Sequence, residues 1–261
     1  MSVQHSSTAR LDPVAFFGSL ATTALRMGAG IATQPRTSRP TLLFELYEFE
    51  GCPYCRIVRE VLTELDLDAM IFPCPKGGTR FRPQVIAKGG KAQFPFLHDP
   101  VTGASMYESA DIIRYLFETY GDGTVPRRWQ ITGAQQLGSA LAGMWRVGAG
   151  RDVRPSVAPA QPLELYSFES SPFARLVRER LCELELPYVL RSVGRSAASD
   201  WLPPGVRDAL RIKATPLTLN RQVLLERAGR ITVPYLVDPN YGVEMGESAA
   251  IIGHLQTRYG A

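Results

Sequence analysis

The alternation of apolar and polar positions along this chain happens twice. Residues 43–48 read Leu-Phe-Glu-Leu-Tyr-Glu and residues 162–167 read Pro-Leu-Glu-Leu-Tyr-Ser, runs with period-two character that predict strands. Behind each lies a segment with apolar residues at i, i+3 and i+4: Val58, Val61, Leu62 and Leu65 in the first copy, Val177, Leu181 and Leu184 in the second. That spacing predicts a helix with one buried stripe. Second strands are predicted at 69–73 and 188–193, and further strands, entered through proline, at 93–100 and 232–239. Each copy closes on a helical run that follows Glu108-Ser109 or Glu247-Ser248 and ends in Tyr-Gly, at 120–121 and 259–260. Strand, helix, strand, hairpin strands and helix together predict an α/β fold, a sheet covered by helices.

The copies are offset by 119 positions at their start (171 − 52 = 119) and by 139 at their end (234 − 95 = 139), so the second carries 20 extra residues near 201–221. A small-residue segment at 17–30 recurs at 137–150; each predicts a helix docked on the fold and ending at a Gly-rich stop. The expected organisation is an N-terminal helical segment (1–40), a first domain (41–124), the repeated helix with its connector (125–161) and a second domain (162–261). Taken alone, residues 13–31 look like a signal peptide or membrane anchor. Arg26 inside the stretch and the recurrence of its pattern in mid-chain argue against that reading, so no membrane association is expected.

A chain of 261 residues suffices for two domains of about 100 residues each. The net charge of +4 is too mild to imply nucleic-acid binding. Four cysteines are too few for a disulfide framework, and Cys74 and Cys182 face Val193 and Thr63 in the repeat, so they belong to no shared scaffold. A Cys-x-x-Cys among unpaired cysteines fits a reducing compartment, the cytoplasm, and redox chemistry.

That motif, Cys52-Pro53-Tyr54-Cys55, is Ser171-Pro172-Phe173-Ala174 in the second copy, so one copy has kept a cysteine pair that the other lacks. Cys52 falls at a helix start, with Pro53 at the first helical position, where unpaired N–H groups and the positive helix end favour thiolate. Cys55, one turn on, is placed to resolve a mixed disulfide, and Tyr54 offers an apolar wall. Half of a zinc site, a shared iron–sulfur cluster or two inert cysteines are the alternatives; zinc would need two further ligands, and the histidines are scattered. Pro95 and Pro234 are read either as edge-strand prolines or as cis bonds that aim the preceding backbone at a ligand. For Glu108-Ser109 and Glu247-Ser248 the bland expectation is a serine N-cap with a favourable acidic neighbour. The functional one is an acid plus helix-start N–H groups that hold both an ammonium and a carboxylate. Lys76, Arg80, Arg82, Lys88 and Lys91 are expected to border the same groove.

Strand, Cys-Pro-Tyr-Cys, proline-led strand and Glu-Ser resemble, in that order, glutaredoxins and the N-terminal, glutathione-binding domain of glutathione S-transferases. The resemblance covers about 80 residues of the first copy and about 100 of the second. It implies two tandem thioredoxin-like domains, each preceded by a small-residue helix, and a glutathione-dependent thiol–disulfide oxidoreductase without a metal. By position, Cys52 would attack, Cys55 resolve, and Pro95 be the cis-proline, with Glu108 and Ser109 holding the γ-glutamyl end of glutathione beside Tyr54 and Phe94. In the second copy Ser171-Pro172-Phe173 is similar to serine-type transferases, and Val233, Pro234, Glu247 and Ser248 would again hold the tripeptide. Partners would be glutathione and glutathionylated or disulfide-bearing substrates, with no nucleic acid. A transferase using Ser171 and a non-catalytic glutathione-binding scaffold are the rival functions. Two departures stand out: no long all-helical domain follows either copy, and Glu50 stands where glutaredoxins carry a lysine nearby, so its charge is expected to oppose thiolate formation at Cys52.

Overall fold

A computed structural model describes residues 17–18, 29–36, 39–130, 149–202, 206, 209–212 and 215–261. The first half comprises β1 (Phe44–Glu48), α1 (Pro53–Glu64), β2 (Ala69–Pro73), α2 (Arg82–Gly89), β3 (Phe96–His98), β4 (Ser105–Tyr107) and α3 (Ser109–Tyr120). The second half repeats that order as β5 (Leu163–Ser167), α4 (Pro172–Glu183), β6 (Tyr188–Ser192), α5 (Leu219–Ala228), β7 (Tyr235–Asp238), β8 (Val243–Gly246) and α6 (Ser248–Tyr259). The predicted mixed α/β architecture is therefore observed. Most of 17–30 and 137–150, the segments predicted as docking helices, lies outside the described residues; their terminal glycines, Gly30 and Gly150, have φ of 76° and 65°.

The eight strands form one sheet in the order β4-β3-β1-β2-β6-β5-β7-β8. Within each half the first two strands run parallel around a crossover helix, and the remaining pairs are antiparallel. The halves meet edge to edge, β2 against β6 in antiparallel register, Met70 opposite Val189. This pairing covers the edge strand that each half would otherwise expose. Phe44 and Leu46 of β1 point to one face and Tyr47 to the other, as pleating requires. The first face carries a core that runs through both halves without a break: Ile57, Val61, Leu62 and Leu116 on one side, Leu165, Val177, Leu181 and Leu255 on the other. The opposite face holds two smaller clusters, Phe81, Val85 and Phe96 under α2 and Tyr166, Leu224 and Tyr235 under α5.

The chain segments before each copy cross over to the opposite half. Thr33 and Ile31 exchange backbone hydrogen bonds with Arg195 of the second half (2.9 and 2.7 Å), while Arg151 and Val153 do the same with Lys76 of the first (2.6 and 3.0 Å). Gly30 then accepts from Ser170 N–H at 3.2 Å, and Gly150 from Gly51 N–H at 3.3 Å. A Cβ at Gly150 would lie 2.8 Å from the Glu50 Cβ, so close approach as well as positive φ requires glycine there.

Candidate functional site

Cys52 occupies the N-cap of α1 with extended backbone (φ −79°, ψ 120°) and Pro53 follows at the first helical position. Its sulfur accepts the Cys55 backbone N–H at 3.3 Å. Hydrogen bonding by the Cys55 side chain, reinforced by the backbone N–H groups of Cys55 and Tyr54, lowers the Cys52 thiol below its ordinary value despite burial and the nearby Glu48 carboxylate. Cys55 is fully buried, and burial, with the Cys52 sulfur beside it, pushes its thiol well up. The two cysteines of one motif are thus driven in opposite directions: the outer one toward thiolate, the inner one toward thiol. Cys74 and Cys182 are likewise buried and their thiols raised.

Strand register brings the other sequence-predicted residues to this end of the sheet. Tyr47 pairs with Phe96, and Phe96 with Tyr107, so the loop after β1, Pro95 before β3 and Glu108 after β4 lie in one row. The Phe94-Pro95 bond is cis. The Phe94 ring meets Phe49 edge-on at 6.1 Å, and the Arg82 guanidinium lies 4.9 Å over it. Gln93 donates to the Glu108 carboxylate. Tyr54, 44% exposed, stands at the mouth of this region.

The second half builds the same row without sulfur. Tyr166 pairs with Tyr235 and Tyr235 with Gly246, aligning the loop after β5, Pro234 and Glu247; the Val233-Pro234 bond is again cis. Ser171 is the N-cap of α4, its Oγ accepting the Ala174 N–H at 3.2 Å, the geometry of Cys52 with oxygen in place of sulfur. The Arg195 guanidinium sits between the Phe168 and Trp201 rings, 5.9 and 5.3 Å from their centroids. Trp201 belongs to the stretch added in this copy.

Three expectations need correction. The N-cap positions of α3 and α6 belong to Glu108 and Glu247, with φ of 62° and 67°, and neither carboxylate caps its own helix; Ser109 and Ser248 are the first helical residues and are buried. A left-handed backbone at two equivalent glutamates frees their carboxylates from the helix end and turns them outward. The basic residues do not form one border. Arg82 and Lys91 stay close to the row, stacked over Phe94 and Tyr107. Arg80 instead hydrogen-bonds the Leu184, Glu185 and Ser156 carbonyls across the halves, and Lys88 pairs with Glu45 at 2.9 Å. Glu50, finally, does not confront Cys52 with an open charge. It is buried and paired with Arg59 at 3.1 Å and with Arg178 of the second half at 3.0 Å.

Those pairs belong to a buried network that sequence reading passed over. Glu169, the counterpart of Glu50, pairs with Arg59 at 2.8 Å and Arg178 at 3.1 Å. Glu48, whose counterpart is the neutral Ser167, also pairs with Arg59. Burial pushes the Glu169 carboxyl up, but Arg178, Arg59 and Arg56 outweigh it and hold it at about 2. Glu48 has less compensation, and burial pushes it up to about 7 against the pull of Arg59. The signal was present in the repeat: Glu50 and Glu169, and Arg59 and Arg178, are identical charges kept at equivalent positions of both copies.

Among the described residues, no group of three or more His, Cys, Asp or Glu side chains could hold a metal ion. None of their helices is long and apolar enough to cross a membrane. The family described as "Glutathione S-transferase, N-terminal domain" matches at residues 46–124 and 165–261, two stretches that together span most of the chain and each include one motif loop, proline and Glu-Ser pair. The chain belongs to that family. The two matched stretches are the two halves that repeat one order of strands and helices. Solved structures with similarity include two of Bombyx mori glutathione transferase BmGSTD1, one of them in complex with GTT. Each is 26% identical over 33% of this chain, with TM-scores of 0.29 and 0.30. The match spans 39% of the silkworm enzyme's chain. No curated protein sequence matches.

Proposed function

We propose that this protein is a glutathione-dependent thiol–disulfide oxidoreductase working through Cys52. The observation that carries the reading is the placement of the cysteine pair: Cys52 at the N-cap of α1, its sulfur accepting the Cys55 N–H at 3.3 Å, with Cys55 buried one turn inside. The lowered Cys52 thiol and the raised Cys55 thiol agree with that placement. In the forward step the Cys52 thiolate attacks the glutathione sulfur of a glutathionylated substrate. The substrate leaves as a thiolate that takes a proton, and Cys52 is left in a mixed disulfide with glutathione. A second glutathione thiolate then attacks that disulfide, giving oxidised glutathione and regenerating the Cys52 thiolate. With a protein disulfide as substrate, Cys55 loses its proton and displaces the substrate from Cys52; the Cys52–Cys55 disulfide formed is reduced by two glutathione molecules. Glu108, Ser109 and the main chain at Phe94-Pro95 would hold the tripeptide, and Tyr54 would cover it. The division into two thioredoxin-like domains, 41–124 and 162–261, and a cytoplasmic location belong to the same proposal.

A transferase at Ser171 is the second reading, favoured by the N-cap geometry that its hydroxyl shares with Cys52 and by its row with Pro234 and Glu247. There the hydroxyl would donate to a glutathione thiolate. Reduction of a glutathionylated peptide and conjugation of an aromatic electrophile, measured on one preparation, separate the two. Cys52→Ser is expected to abolish the first activity, and Cys55→Ser to preserve much of it while accumulating the mixed disulfide. Full reduction activity in Cys52→Ser would refute the oxidoreductase reading.

A further inference from the structure

The half whose motif has lost its cysteines reaches into the loop that carries the nucleophile. Arg178, 1% exposed on α4, points its Nε and Nη2 at both oxygens of Glu50 (3.0 to 3.3 Å). The same guanidinium donates to the Glu169 carbonyl and to Ser167 Oγ, both at 3.0 Å, which fixes its plane from its own half. The Glu50 N–H donates to Cys182 Sγ at 3.4 Å, and the Gly51 N–H to the Gly150 carbonyl at 3.3 Å. Arg59 contacts this two-residue segment, immediately before Cys52, from the first half. A mirror set holds the Ser171 loop: Arg59 on Glu169, Thr63 Oγ1 on the Glu169 N–H at 3.2 Å, and Gly30 on Ser170.

We propose that Arg178 is a positioning residue for Cys52: it neutralises Glu50 and holds its carboxylate in the interface between the halves, so that the redox-silent half maintains the reactivity of the other. This rests on Cys52 being the reactive thiol. The charged and titratable groups around Glu50 are Arg59 and Glu48 from the first half and Arg178, Arg175, Glu169, Cys182 and Tyr188 from the second. Those acting on Cys52 itself are Cys55 and Glu48. With Glu50 compensated by two guanidiniums, its charge adds little at the sulfur. Without Arg178, Glu50 would keep only Arg59, which Glu48 and Glu169 also share, so net negative charge would stand two residues from Cys52 in a low-dielectric site.

The test is the pH dependence of iodoacetamide alkylation at Cys52, followed by peptide mass spectrometry in the full-length protein. Arg178→Gln is expected to move the midpoint up by about half to one unit, slowing alkylation at neutral pH roughly three- to tenfold. Glu50→Gln added to it should return the midpoint to the wild-type value. A folded Arg178→Gln protein with an unchanged midpoint, or a double variant still shifted, would overturn the proposal and leave Arg178 a purely structural residue. If Arg178→Gln does not fold, Glu50→Gln alone decides. The proposal expects its midpoint to match wild type, whereas a drop of about one unit would show Glu50 acting on Cys52 directly and overturn it. The readout needs neither glutathione nor substrate. Midpoints that move as stated in a protein that cannot reduce glutathionylated peptides would therefore refute the proposed function and leave this inference standing.

Discussion

Glu48→Gln isolates one buried carboxylate whose cost can be worked out. Glu48 is 1% exposed and titrates at about 7, against 4.5 for an ordinary glutamate. Because its folded value is raised, the folded protein binds a proton that the unfolded chain has released between these two values. Stability therefore falls as pH rises from about 4.5 to about 7 and stays at its lower level above. The shift of 2.5 units (7 − 4.5) corresponds to about 3 kcal/mol. Glutamine keeps an acceptor for Arg59 but never takes a charge, so it leaves Glu50 and Glu169 to share the two guanidiniums. The expected result is a stability difference, variant minus wild type, that grows by about 1 kcal/mol between pH 4 and 5.5 and by about 3 kcal/mol by pH 7, then levels off. Urea unfolding of both proteins at intervals from pH 4 to 8.5 measures it, and taking the difference removes the titrating groups outside this network. A difference that stays flat across this range, or rises in the acid direction, would refute the assignment of the raised carboxyl to Glu48.

Glu50→Lys places a third cation between Arg59 and Arg178, and chemical denaturation should show a loss of about 3–5 kcal/mol instead of a more reactive Cys52. Calorimetric titration with glutathione is expected to reveal up to two sites per chain, with Glu108→Ala and Glu247→Ala each removing one. Absence of binding to both halves at millimolar glutathione would refute both glutathione-dependent activities and leave a scaffold that uses its folds only to bind partners. Gly150→Ala should cost about 1–3 kcal/mol by thermal unfolding, since its φ is positive and the added carbon meets the Glu50 side chain.

The sequence by itself determined the parts of this protein that depend on near neighbours. Period-two and period-3.6 patterning marked the strands and the helices α1, α3, α4 and α6, because apolar side chains must line one face of each element whatever packs against it; α2 and α5 carried no such mark. Cys52 at a helix start was legible for the same reason: Pro53 and the helical stripe behind it are local signals. The shared offsets of Pro95 and Pro234, and of Glu108 and Glu247, marked the rest of the site before any strand was paired. Only the tertiary structure decided that β2 lies against β6, since an edge strand's own residues do not say which other edge will complete its hydrogen bonds. It also decided the meaning of Glu50. Read along the chain, Glu50 is a negative charge two residues from a thiolate. In the fold, Arg178 lies 128 residues away in sequence and about 3 Å away in space. Coulomb energy depends on that distance and on burial, and both were settled when the two halves closed on each other.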